Sequence, residues 1–186
     1  MTGNTEVFIL SAQRTPIGAF QGTLSQVSCP TLGGTAIKAA YESAKIPPQR
    51  VNQVLMGCVL SAGLGQAPAR QACLHANLLP STTCATINKM CGSGMQTVIQ
   101  AHDSLTANPE QVIVCGGMEN MSQAPYLLQK ARTGYRIGHQ SVSDHMMLDG
   151  LEDAYDKGRP MGYFAEQCVK EYQFTREEQD KFATQS

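Results

Sequence analysis

The chain runs to 186 residues, enough for one domain with an added excursion. An apolar share of 42% and a mean hydropathy of −0.21 describe a soluble globular chain and exclude a disordered or fibrous one. A formal net charge of −1 gives no pull toward nucleic acid or an anionic membrane, and no apolar run reaches membrane-spanning length.

The opening M-T-G-N-T-E-V-F-I-L has neither the basic start nor the apolar core of a secretory signal, so a cytoplasmic location is expected. Seven cysteines occur: Cys29, Cys58, Cys73, Cys84, Cys91, Cys115 and Cys168. An odd count without an export signal points to reduced thiols. With no C-x-x-C pair, no zinc site is expected, and most of the seven read as small buried hydrophobes.

Val7 to Leu10 is a short apolar run ahead of R-T-P-I-G and predicts a buried strand. From Thr31 a helix is expected with Leu32, Ala36, Ala39 and Ala40 on one face, stopped by Pro47 and Pro48. The paired Gly33 and Gly34 lie inside it, which suits close packing. Val51 to Leu60 reads as a strand, and Gln66 to Leu78 as a helix with Pro68 in its first turn. Thr82 to Ile87 is the next strand. Cys91 then stands at the junction into a helix whose apolar stripe is Met95, Val98, Ile99 and Leu105. Gln111 to Cys115 closes the series, ending at Gly116-Gly117. The order βαβαβαβ predicts an α/β fold with a mixed, largely parallel sheet between helical layers.

Residues 119 to 160 form a longer irregular excursion, rich in methionine and with a functional, binding-loop character. Two helices are expected after it, the second opened by a Thr175/Glu178 capping box. The expected division is therefore 1–118 for the core and 119–186 for the start of a further domain.

Cys91 sits in N-K-M-C-G-S-G, residues 88 to 94. A thiolate is the reactive form of cysteine, and a helix start offers unpaired N–H groups to it. Flanking glycines clear space for an acyl group. A small structural cysteine at a tight turn suits the same residues, and on local features both readings stay open. None of the four histidines supplies an evident base. His102 lies roughly 16 Å along the helix from Cys91 at 1.5 Å per residue, and His75 reads as a helix-face residue. His139 and His145, near Asp144 and Asp149, read as solvated loop residues. The G-L-G at 63 to 65 lacks the third glycine of a dinucleotide fingerprint.

Six stretches together resemble the thiolases, acetyl-CoA acetyltransferases in particular: S-A-Q-R-T-P-I-G-A-F-Q-G, G-Q-A-P-A-R-Q, N-K-M-C-G-S-G-M, C-G-G-M-E-N-M-S, D-G-L-E-D-A-Y and P-M-G-Y-F-A-E. They follow the family's order from near Val7 to the last residue. The resemblance implies the thiolase fold and acyl transfer between CoA thioesters. Two acetyl-CoA would give acetoacetyl-CoA and CoA, or a 3-ketoacyl-CoA would be cleaved. By resemblance Cys91 is the nucleophile that holds the acyl group, and its backbone N–H an oxyanion donor. Met161 matches a methionine lining the acetyl pocket, and Leu151 a residue on the pantetheine arm. No cofactor is implied beyond the CoA thioester substrates. Acetyl-CoA, acetoacetyl-CoA and CoA are the expected partners, with a homodimer or homotetramer when intact.

The resemblance covers the N-terminal half of a family built from two similar halves. The family's activating histidine, in G-H-P, and its second cysteine, in C-x-G-G-G, belong to the other half, as does the rest of the loop domain. The first half's last strand follows that loop domain and is not expected here. At 159 to 162 the chain reads R-P-M-G where short-chain members carry H-M-G. For the 186 residues alone a non-catalytic acyl-CoA-binding or assembly fragment is the competing reading. A related ketosynthase of fatty acid assembly fits the motif wording less well.

Overall fold

In the computed structural model, which describes residues 6–186, three five-residue strands form a parallel sheet. They are β1 (Gln53–Gly57), β2 (Thr83–Ile87) and β3 (Ile113–Gly117), in the spatial order β2-β1-β3. Val54 pairs with Cys84 on one side and Val114 on the other, which fixes the register of all three. Asn52 ties the start of β1 to both neighbours. Its N–H donates to the Val112 carbonyl at 2.9 Å, and its own carbonyl accepts from the Thr83 N–H at 3.0 Å. Parallel strands need crossovers, and two helices provide them: α2 (Pro68–His75) joins β1 to β2 and α3 (Ser93–Ala107) joins β2 to β3, while α1 (Cys29–Ser43) precedes β1.

Val54, Met56 and Cys58 alternate onto one face and join Cys29, Ile37, Tyr41, Ala69, Ala72 and Cys73 in the core. That face is covered by α1 and α2. Their approach is close because Gly33 and Gly34 have no Cβ. One on Gly33 would meet Met118 Sδ at 2.6 Å, and one on Gly34 would meet His75 Cβ at 2.6 Å. The Tyr41 hydroxyl, buried between the two helices, donates to the Ala76 carbonyl at 2.9 Å. The buried stripe of α1 is thus Gly33, Ile37 and Tyr41, displaced from the expected Leu32, Ala36, Ala39 and Ala40, which are half-buried. The other face of the sheet carries α3 through its small residues Ser93, Thr97 and Ala101. Its larger apolar residues Met95, Val98 and Ile99, expected as the packing stripe, are exposed.

The first expected strand is not formed. Val7 to Leu10 carries no sheet pairing, and Phe8, Ile9 and Leu10 are exposed. A cavity of about 500 Å³ lies between this segment and β3, whose outer edge has no strand beside it among the described residues. A short apolar run states that burial is favourable without specifying the partner, and pairing here requires a contact across more than a hundred residues of chain. The element order among the described residues of the core is therefore αβαβαβ.

Two compact units divide the chain, the first ending at Pro125 and the second running from Tyr126 to Ser186. The turn at Met121–Gln123 belongs to the first unit and pins its N-terminal loop. There the Asn120 side-chain amide donates to the carbonyls of Leu24, Ser25 and Val27, the last at 2.7 Å. The second unit holds β4 (Tyr126–Leu127) paired antiparallel with β5 (Ser143–Asp144), a π-helical turn at Met147–Leu151, then α4 (Met161–Tyr172) and α5 (Arg176–Gln185). The capping box of α5 forms as expected: Thr175 N–H donates to Glu178 Oε2 at 2.8 Å, and Glu178 N–H to Thr175 Oγ1 at 3.1 Å. Among the described residues no helix is long and apolar enough to cross a membrane.

Candidate active site

The turn that carries Cys91 is built from the residues around it. As β2 ends, Asn88 Oδ1 accepts the Met90 N–H at 3.0 Å, which bends the chain. Met90 takes a left-handed conformation, φ 49°, unusual for a residue with an unbranched apolar side chain. Such strain concentrates at functional sites and persists where surrounding bonds over-determine it. Here Ser93 supplies them. Its Oγ accepts the Lys89 N–H at 2.8 Å and donates to the Met90 carbonyl at 2.6 Å. Gly92 is the N-cap of α3, and its N–H donates to the Lys89 carbonyl at 3.1 Å. Cys91 is left exposed at the tip, one residue ahead of the cap.

The placement of this helix start depends on Gly57. A Cβ there would lie 2.6 Å from the Ser93 carbonyl carbon and 2.7 Å from the Gly94 nitrogen. On the other side Gly94 faces Gly117, where an added Cβ would sit 3.4 Å from the Gly94 Cα. The Thr97 hydroxyl bonds the carbonyls of Gly94 at 2.7 Å and Gly116 at 3.0 Å, tying α3 to the end of β3. Gly57, Asn88, Ser93 and Thr97 were not singled out from the sequence. The glycine ending a strand was a signal of close backbone approach, whereas a Ser or Thr one turn into a helix carries none.

Of the seven cysteines, only Cys91 and Cys168 are exposed. Cys29 is pushed up by its hydrogen bond with Cys58, by burial and by the nearby Glu119 charge. Burial, with Cys73 beside it, pushes Cys84 up to about 12, and burial raises Cys115. In all three the neutral thiol is favoured over the thiolate.

Leu151 and Met161 fall in the second unit. An antiparallel bridge between Glu152 and Pro160 closes the loop between them and brings the two flanking residues to its base. Leu151 ends the π-helical turn, and Met161 opens α4, half-exposed. Within the loop Arg159 bonds Asp156 at 2.9 Å, lies 4.4 Å over the Tyr163 ring and contacts its hydroxyl. His145 is buried rather than solvated, and its Nδ1 lies 2.7 Å from Asp149 Oδ2. His102 projects from α3 into solvent beside Asp103. The G-L-G turn is closed by Gln71, whose amide donates to the Leu64 and Gln66 carbonyls.

Residues 7–186 match the family described as Thiolase, N-terminal domain. The chain belongs to the thiolase family. It is 52% identical over 179 residues to an acetyl-CoA acetyltransferase of Escherichia coli K12, covering 96% of this chain and 45% of that protein. Against acetyl-CoA acetyltransferase A, mitochondrial, of Xenopus laevis, identity is 51% over 181 residues, covering 97% of this chain and 42% of the relative. Among solved structures, the Acat5 thiolase of Ascaris suum in complex with coenzyme A superposes with a TM-score of 0.87 at 37% identity. That match covers 96% of this chain and 46% of the other. The parallel sheet flanked by helices is thus a thiolase fold. This thiolase chain spans about half the length of the curated relatives it matches.

Proposed function

We propose that this thiolase domain carries the nucleophile for acyl transfer between CoA thioesters. The observation that carries the reading is Cys91, exposed on a braced, strained turn between β2 and α3 in a chain that matches the thiolase family along its length. The Cys91 sulfur attacks the acyl-CoA carbonyl. A bond from Sγ to the acyl carbon forms, the bond from that carbon to the CoA sulfur breaks, and CoA leaves as a thiolate that is then protonated. A second acyl-CoA loses its α-proton to a base and attacks the Cys91 thioester. The new carbon–carbon bond forms as the Cys91 bond breaks, giving 3-ketoacyl-CoA and a free Cys91. Thiolysis is the reverse. A thiolate serves both as nucleophile and as leaving group in these steps.

The backbone N–H of Cys91 is the donor proposed for the oxyanion. Met161 is assigned to the acetyl group and Leu151 to the pantetheine arm. The ligands of this reading are acetyl-CoA, acetoacetyl-CoA and CoA, with the protein acting as a homodimer or homotetramer in the cytoplasm. G-H-P and C-x-G-G-G do not occur in the 186 residues, so the 186-residue chain assayed alone is expected to give no turnover.

The test is acetyl transfer from labelled acetoacetyl-CoA by the protein with its complete partner half, with and without Cys91→Ala. Label on the Cys91 peptide, and a loss of turnover by several orders of magnitude in the variant, are expected. Turnover that survives the substitution overturns the assignment. CoA binding without any labelling of Cys91 would instead favour a non-catalytic binding role.

A further inference from the structure

A second constellation lies inside the first unit, apart from the Cys91 turn. Cys29 opens α1, Cys58 follows the end of β1, and Glu119 follows the end of β3. They are distant in sequence, yet the two sulfurs and a carboxylate oxygen lie within 4.8 Å of one another. The carboxyl ends of β1 and β3, the side on which α/β sheets take their ligands, set Cys58 and Glu119 against the start of α1. A search for C-x-x-C spacing passes over such a set.

The geometry suits coordination. Cys58 Sγ lies 3.6 Å from Glu119 Oε1. In tetrahedral zinc sites, bonds of about 2.3 Å to sulfur and about 2.0–2.2 Å to oxygen give a sulfur–oxygen edge of about 3.5 Å. The carboxylate is already aimed. Its Oε2 accepts the Val59 N–H at 2.9 Å, and Oε1 accepts the Leu60 N–H at 3.1 Å together with the Cys58 thiol, whose proton a metal ion would replace. Both thiols are at most 2% exposed, while Glu119 is half-buried. Two thiolates and a carboxylate supply the soft, anionic donors that a thiophilic dication prefers.

We propose that Cys29, Cys58 and Glu119 form a binding site for one thiophilic divalent cation of the zinc class, with a fourth position open to water. Binding exchanges two sulfur–hydrogen bonds for two metal–sulfur bonds and releases two protons to solvent. No electron is transferred. Affinity therefore rises with pH.

The test uses the reduced protein on a Cys91→Ser, Cys168→Ser background, which removes the two exposed thiols. Titration with Cd²⁺, followed by thiolate-to-metal charge-transfer absorption, should give one ion per chain and two protons released per ion. Competition with a chelator should show affinity weakened at least about tenfold in C29S, C58S and E119Q. Absence of the charge-transfer band, or equal affinity in all three variants, overturns the site. X-ray absorption on the zinc-loaded protein decides independently of how the variants fold. Two sulfur neighbours with oxygen support the site, and a sulfur-free shell or four sulfurs overturns it. A Cys29–Cys58 disulfide recovered by peptide mapping after metal treatment would likewise overturn it.

Discussion

The Cα of Gly57 stands so close to Ser93 that a Cβ would lie 2.6 Å from the Ser93 carbonyl carbon. The end of β1 and the first residue of α3 meet backbone to backbone, and the atoms in the way have no rotamer to yield. Gly57→Ala must therefore displace the helix start that carries Cys91. An overpacking cost of roughly 1–3 kcal/mol is expected. It is read as a lower urea midpoint, together with slower alkylation of Cys91. A variant with the parent's midpoint and labelling rate would show that this contact does not position the turn.

The thiols should separate sharply in reactivity. Cys91 and Cys168 are exposed, whereas Cys29 and Cys73 are buried, and Cys29, Cys84 and Cys115 have their thiol forms favoured. Native iodoacetamide treatment followed by peptide mapping should label Cys91 and Cys168 first, with the other five labelled at comparable rates only after denaturation. Early labelling of Cys84 or Cys115 under native conditions would contradict the shielding of these partly buried thiols.

The legible parts of this fold were those written locally. The β-branched run from Thr82 to Ile87 yields β2 at Thr83–Ile87, and Thr175 with Glu178 forms the capping box the spacing predicts. The junction at Cys91 was also readable, since glycines after a strand and before an amphipathic run mark a turn into a helix. What needed partners was not readable. The apolar stripe of α3 is genuine, but the sheet takes the opposite, small-residue stripe, because Gly57 and Gly117 let the backbones approach where Met95 or Val98 would not fit. His145 read as a loop residue because its burial depends on the fold of the excursion. The brace from Ser93 to Lys89 depends on a side-chain rotamer no pattern encodes.

The loop joining Leu151 to Met161 should respond to acid. Asp153 Oδ1 accepts the N–H groups of Tyr155 at 2.9 Å and Asp156 at 2.7 Å, and these bonds, the Asp156 one first, hold its carboxyl below the usual carboxylate range. A depressed folded-state pKa means the ordering is present above the unfolded value, about 4, and is lost as pH falls through the folded one. Amide exchange at Tyr155 and Asp156 should therefore accelerate below about pH 4 beyond the intrinsic pH trend. Asp153→Ala should show that faster exchange at neutral pH. Protection unchanged down to the acid end, or in the variant, would remove Asp153 from the account of this turn.

Ser93 offers the most direct check on how the Cys91 turn is held. Its hydroxyl is nearly buried, accepts from Lys89 and donates to the Met90 carbonyl, so it spans the strained residue. Ser93→Ala leaves the Lys89 N–H without that partner while the Met90 conformation keeps its cost. A stability loss of about 1–2 kcal/mol is expected from the bonds alone. On the proposed acyl-transfer reading the positional effect should be larger, with kcat lowered about tenfold to a hundredfold because a misplaced reacting atom is costly. KM for the CoA thioester should move little, since Ser93 is placed to orient Cys91 rather than to bind substrate. Ser93→Thr keeps the hydroxyl and should recover most of kcat. If Ser93→Ala matched the parent in kcat and in Cys91 labelling, the strain at Met90 would have to be held by the Asn88 and Gly92 bonds alone.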